Sequence, residues 1–242
     1  MENYAAKLQS GGHFFLNWEE LKIGCFPHTI NISTQKVVTA VVDVQDDDLA
    51  AQVSARNPQA LLRMGIRSIR ASGKRREEFR SIVDQGNKQN WWLVNNQPVQ
   101  LKNRELILDV PTRWDSSYQM DNRALELQPA LDYFFQLPQN TALAPYRLTP
   151  DEWKGIQDIT VMLSVPSRIQ QALCSERTPS LSFALPNFEW LVTSWERLAA
   201  AHPHLEPFLR PGLDSAYQYY RKMNDNPAYV IAMCKYSIFC MT

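Results

Sequence analysis

The residues able to do chemistry fall in three places, the first of them ELILDVPTRWDSSYQM (105–120), where Asp109 and Asp115 flank Arg113-Trp114. An indole beside a guanidinium can stack on an unpaired base while gripping the neighbouring phosphate. The same pair just ahead of a helix can instead be a core anchor and its hydrogen-bonded neighbour, and the residue types alone favour that reading. Asp109 and Asp115 could act as part of a metal-holding set. Asp115, followed by Ser116 and Ser117, is better suited to an N-cap that accepts amide donors left over at a helix start. The second place is Cys25-x-x-His28, the spacing of half a zinc site. A structural zinc needs a full tetrahedral set, and Cys174, Cys234, Cys240, His202 and His204 stand apart in no metal-like spacing. A buried structural cysteine and a histidine bonded to backbone are therefore expected.

The third place is a basic stretch. From Arg56 to Arg80 there are eight basic residues against two acidic ones. Arg63, Arg67, Arg70 and Lys74 recur at steps of four, three and four, a stripe beside the apolar Leu62, Ile66 and Ile69 that Arg75 and Arg76 extend. Such a stripe is either a solvated helix face or the place where a protein of zero net charge touches phosphate. No G-x-S-x-G, P-loop or dinucleotide fingerprint occurs in the chain.

These groups need elements to hold them. The periodicity predicts an amphipathic helix over 58–85 with Pro58 in its first turn, divided at Ser72-Gly73. Ile30, Val37, Val38 and Val41 predict another starting near Pro27, and Asp43, Asp46, Asp47 and Asp48 a solvated loop after it. A short helix is expected over 2–10, closed by Gly11-Gly12, and a polar connection over 87–104 carrying Trp91-Trp92. Further helices are expected over 115–136, 149–172, 186–201 and 205–223, with CSERTPSLSFALP (174–186) as a loop. Prolines 138, 145, 166, 179, 186, 203, 207 and 211 punctuate this half of the chain at intervals that suit helix–loop–helix packing. Few segments alternate strictly, so the fold class is mainly α.

Composition agrees. The chain of 242 residues is 45% hydrophobic and 21% charged, which suits a globular core rather than disorder. Eight glycines against fifteen prolines argue against a Gly-rich α/β enzyme. Four cysteines without a disulfide-like spacing, no secretory leader and no apolar run of membrane-spanning length imply an intracellular soluble protein in a reducing compartment.

Five blocks then resemble hAT-superfamily transposases, in that family's order: CFPHTINIS, IRSIRASGKRREEF, LILDVPTRWDSSYQMDNRALELQPALDYF, LSVPSRIQQALCSERTPSLSFALP and YYRKMNDNPAYVIAM. The resemblance implies an RNase H-like core split by a large all-helical insertion, with residues 1–30 a fringe of the core, 31–223 the insertion and 224–242 a truncated return. It implies metal-dependent DNA cleavage and strand transfer, using Mg²⁺ or Mn²⁺, for the full-length family. The family's Asp/Asp/Glu triad is not matched, so this chain is expected to need no cofactor and to be inactive. It also implies a nuclear DNA-binding protein that meets transposon ends, hairpin or flanking DNA, with Arg113, Trp114, Arg67, Arg70, Lys74, Arg75 and Arg76 as DNA contacts. Cys25, His28 and Asp115 would be structural motif residues. The abrupt ends, with the apolar KYSIFCMT last, lead to the expectation of a piece of a longer chain prone to self-association. Two other classes stay open: a domesticated helical protein-interaction module, and an unrelated helical enzyme using Asp109 and Asp115.

Overall fold

A computed structural model describes residues 25–43, 57–94, 96–175, 181–224, 226 and 228–229. The helix expected over 2–10, the loop carrying Asp46 to Asp48, and Cys234 and Cys240 lie outside the described residues. The described chain is mainly helical: α1 (Phe26–Asp43), α2 (Pro58–Arg70), α3 (Gly73–Gln89), α4 (Trp114–Glu126), α5 (Gln128–Gln136), α6 (Pro150–Ser175), α7 (Leu181–Ala201) and α8 (Glu206–Asn224). A two-stranded antiparallel hairpin, β1 (Leu93–Val94) with β2 (Gln97–Pro98), interrupts the connection after α3, with Leu93 facing Pro98. The chain divides into two compact units: Val41–Ser164, and Met1–Ala40 with Val165–Thr242.

Local chemistry explains most helix boundaries in the Val41–Ser164 unit. Asn57 caps α2, its side chain accepting from the Ala60 N–H at 2.9 Å, and Pro58 takes the first turn, where its missing N–H has no partner to lose. The expected break at Ser72-Gly73 is real, with Ser72 capping α3. The helix ends on Asn90 in the left-handed region (φ 55°), which asparagine tolerates. The helix expected over 115–136 is two helices instead, since the chain turns at Leu127 and Pro129 cannot supply the N–H a continuous helix needs. Thr149 and Glu152 form a capping box at the start of α6: Glu152 accepts from the Thr149 N–H at 2.7 Å and Thr149 Oγ1 accepts from the Glu152 N–H at 3.2 Å.

Pro166 and Pro211 lie inside α6 and α8, within the helices expected over 149–172 and 205–223, but Pro186 misled: it lies inside α7, which begins at Leu181 within the stretch expected to be a loop. Each proline costs a helix hydrogen bond. In α7 that cost is offset by the burial of Ala184, Leu185, Phe188, Leu191, Val192 and Trp195 along one face.

The core of the Val41–Ser164 unit joins Leu62, Ile66 and Ile69 of α2 to Phe79, Ile82 and Val83 of α3, Met120 and Ala124 of α4, and Leu131, Phe134 and Phe135 of α5. Trp92 closes one end of it, its ring so near Gly86 that a Cβ there would lie 2.0 Å from Trp92 Cζ2. In the other unit Phe26 of α1 meets Phe188 of α7 edge-on. Gly212 of α8 lets Val37 and Trp195 approach, a Cβ there falling 2.4 Å from Val37 Cγ2.

Candidate nucleic-acid interface

The segment from Val99 to Arg113 has no ladder of its own to pair with, so its backbone needs other partners. The basic helices supply some of them. Arg70 donates to the Leu106 carbonyl, Arg123 to the Glu105 carbonyl at 2.7 Å, and Asn87 brackets Leu101, donating to its carbonyl and accepting from its N–H, each at 2.8 Å. The segment ends in a turn with Pro111 at its second position, closed by Arg113 N–H to Val110 O at 2.8 Å. Ser116 Oγ ties that turn to α4, accepting from the Val110 N–H at 2.9 Å.

At the centre is Asp109, whose side chain is wholly buried. Arg63 of α2 grips it with two parallel bonds, Nε to Oδ1 and Nη2 to Oδ2, both 2.7 Å, and Ser117 of α4 donates to Oδ2 at 2.9 Å. Burial alone pushes the Asp109 carboxyl up, but the hydrogen bonds from Arg63 and Ser117, with the Arg63 charge, outweigh it and leave Asp109 below the ordinary carboxylate range. The hydrogen bond to Asp109 raises Arg63 in turn. One turn further along α4 lies Asp121, fully buried, with Oδ2 accepting from Gln59 at 2.7 Å and Oδ1 without a hydrogen-bond partner among the described residues. Burial, aided by the nearby Asp109 charge, pushes Asp121 up to about 7 against the pull of the Gln59 amide and Arg63.

The site residues expected from sequence are thus separated. Trp114 is the first residue of α4 and only 5% exposed, on the helical face that also buries Ser117, Asp121 and Ala124. This corrects the expectation of an accessible indole, because the spacing that starts the helix also turns Trp114 inward. Arg113 occupies the N-cap position, contributes no capping side chain, and stays exposed. Asp115 is therefore not the cap but lies in the first turn, where a carboxylate still suits the helix dipole.

The basic stripe also divides. Arg63 and Arg70 hold the segment after β2, and Arg75 donates to the Ser68 carbonyl near the end of α2 at 3.0 Å. Arg67, Lys74 and Arg76 are exposed and carry no ion pair or side-chain hydrogen bond among the described residues. Arg104 and Arg113 share that condition. Sequence reasoning missed Asp109, Asp121 and Gln59 as a buried polar cluster, although Asp121 falls on the helical spacing of Trp114, Ser117 and Ala124.

Cys25 is exposed, not buried, and so is His28, while the Cys25 carbonyl accepts from the Thr29 N–H at 3.1 Å as α1 begins. Among the described residues no group of three His, Cys, Asp or Glu side chains could hold a metal ion. The divalent cations implied for the family need clustered ionised carboxylates. Asp109 is committed to Arg63, and Asp121 is largely protonated below neutral pH, so these residues do not fit such ions.

No helix among the described residues is long and apolar enough to cross a membrane. Searches of curated proteins and of solved structures give no match. The family model described as the ZBED1 RNase-like helical domain matches residues 23–162, which covers α1, the Arg63–Asp109 latch and the first half of α6. With well over half of its length matched, and with a mainly helical structure, this chain belongs to the ZBED1 RNase-like helical domain family of hAT/ZBED transposase-like proteins.

Proposed function

We propose that this chain is the helical portion of a protein derived from a hAT-type DNA transposase, and that it contacts DNA in the nucleus without cutting it. One observation carries the reading: within a helix pair whose other arginines are committed to internal bonds, Arg67, Lys74 and Arg76 remain exposed and unpaired among the described residues. An exposed cation without an internal partner releases counterions when it meets a phosphate, which is the main source of sequence-independent DNA affinity. Trp114 is not part of this surface. Asp109 and Asp115 do not form a cleavage site, since Asp109 is sealed behind Arg63 and Ser117.

The test is binding of the full chain to a labelled duplex over a salt series, for the parent and for Arg67→Ala/Lys74→Ala. The parent is expected to bind with an affinity that falls steeply with salt. The double variant should bind all sequences more weakly and flatten the log–log salt slope by about 2, roughly 0.9 for each phosphate that is no longer neutralised. An unchanged slope removes these residues from any DNA surface. Salt-insensitive or absent DNA binding would instead favour the protein-interaction module, for which the exposed Trp91, Leu93 and Tyr133 are the candidate docking residues.

A further inference from the structure

A second basic feature shares Arg70 and Arg76 with the stripe and extends it to Arg80 and to Arg104 of the segment after β2. Arg70, Arg76, Arg80 and Arg104 line one shallow, solvent-open pocket with Glu105. Its floor is apolar: Ile69, Phe79 and Leu106 are each no more than 3% exposed. Three separate stretches of chain converge there, the end of α2, the first half of α3 and the segment after β2.

The guanidinium groups fall into two kinds. Arg70 is anchored by donating to the Leu106 carbonyl, and Arg80 by its pair with Glu105 and a longer approach to Glu77 at 3.9 Å. Arg76 and Arg104 have no ion pair or side-chain hydrogen bond among the described residues. Four positive groups and one carboxylate give the lining a net charge of +3. The side chains of the floor offer an anion no hydrogen bonds, so the donors it meets there are the guanidinium groups.

We propose that this pocket is a phosphate-binding site, taking a phosphate group through Arg76 and Arg104 with Arg80 recruited from Glu105. The planar fork of arginine matches phosphate oxygens in pairs, and here two forks come from successive turns of α3 and a third from the segment after β2. Glu105 is the built-in competitor, because it already holds Arg80 and its charge opposes the ligand. The proposal rests on the DNA-binding reading for where the phosphate would come from, not for the pocket's own chemistry.

The experiment titrates inorganic phosphate into the full chain and follows the arginine side-chain N–H resonances, with Arg76→Ala/Arg104→Ala and Glu105→Gln alongside. Both arginines are exposed and unpaired among the described residues, so the double variant is expected to fold as the parent does. The parent should show saturable shifts at Arg76 and Arg104. The double variant should bind phosphate at least about tenfold more weakly, and Glu105→Gln should bind it several-fold more tightly, as expected when charge-assisted bonds are removed or a competitor is neutralised. Equal-length oligonucleotides with and without a 5′-phosphate, used as competitors, separate the sources: preferential competition by the phosphorylated strand assigns the pocket to DNA ends, and equal competition assigns it to backbone phosphates. Non-saturable shifts, or a double variant that binds phosphate like the parent, would overturn the proposal. If Arg67→Ala/Lys74→Ala leaves DNA affinity intact while the pocket variants no longer take phosphate, the exposed-stripe reading falls and the pocket stands.

Discussion

Changing Asp121 to Asn should make the protein more stable at pH 8 and less so, or no more so, near pH 4.5. Asp121 is fully buried, with one oxygen bonded to Gln59 and the other unpartnered, a setting that favours the neutral acid. Its carboxyl is raised from 3.8 to about 7 in the folded protein. Between those values the native state holds a proton that the unfolded chain has released, so stability falls as pH rises through the window and levels off above it. About three decades of proton affinity at 1.36 kcal/mol each correspond to about 4 kcal/mol across the full range. Asn removes the charge but places an amide N–H where Oδ1 found no partner, returning about 1–3 kcal/mol. The net expected at pH 8 is a gain of about 1–3 kcal/mol, with a flatter pH profile than the parent. Denaturant unfolding at several pH values measures both. A variant destabilised equally at pH 5 and pH 8 would show that Asp121 is ionised and satisfied in the folded state, and the reasoning would fail.

Three further outcomes follow from the same geometry. Trp114→Ala should cost about 3–5 kcal/mol by thermal or denaturant unfolding and leave the DNA affinity of the folded fraction unchanged; a selective loss of hairpin binding without loss of stability would restore the stacking role. Arg63→Ala strands the buried Asp109 carboxylate and should cost about 3–5 kcal/mol; Asp109→Asn in the same background should recover part of that loss, and a full-cost double variant would mean the pair is not the reason. Gly86→Ala drives a methyl into the Trp92 ring and should lower stability by about 1–3 kcal/mol, seen also as increased tryptophan exposure by fluorescence quenching.

Much of the helical fold was legible because it rests on local spacing. The apolar positions Leu62, Ile66 and Ile69, Pro58 in the first turn and the break at Ser72 all appear within a few residues of one another. The boundaries that were missed are those where burial overrides a local cost, as at Pro186 in α7, or where one proline ends a helix that the apolar spacing carries through, as at Pro129. The buried polar cluster was not legible for a different reason. Arg63 and Asp109 are 46 residues apart, and Gln59 and Asp121 are 62 apart, so no local pattern pairs them. Trp114 was misplaced because a motif resemblance speaks to the ancestral complex, whereas the heptad-like spacing with Ser117, Asp121 and Ala124 speaks to the core.

The excess of arginine between Arg56 and Arg80 therefore has two physical causes that the sequence runs together. Part of it compensates for a stretch of backbone that lies in neither helix nor sheet: Arg70, together with Arg123 of α4, satisfies carbonyls of that stretch, and Arg63 neutralises the carboxylate that pins its end to α4. A lysine could not do the last of these equally well, since the bond to Asp109 is a two-pronged one between planar groups. Arg67, Lys74 and Arg76 of this region, with Arg104 and Arg113 further along the chain, hold no such internal partner among the described residues. Long side chains held in water gain little from pairing, so the presence of these cations is not explained by stability. Removing Arg63 should destabilise the fold, whereas removing Arg76 and Arg104 should weaken phosphate binding in a protein that folds as before. That separation makes the stripe, which looks uniform as a sequence, divisible by measurement into scaffold and surface.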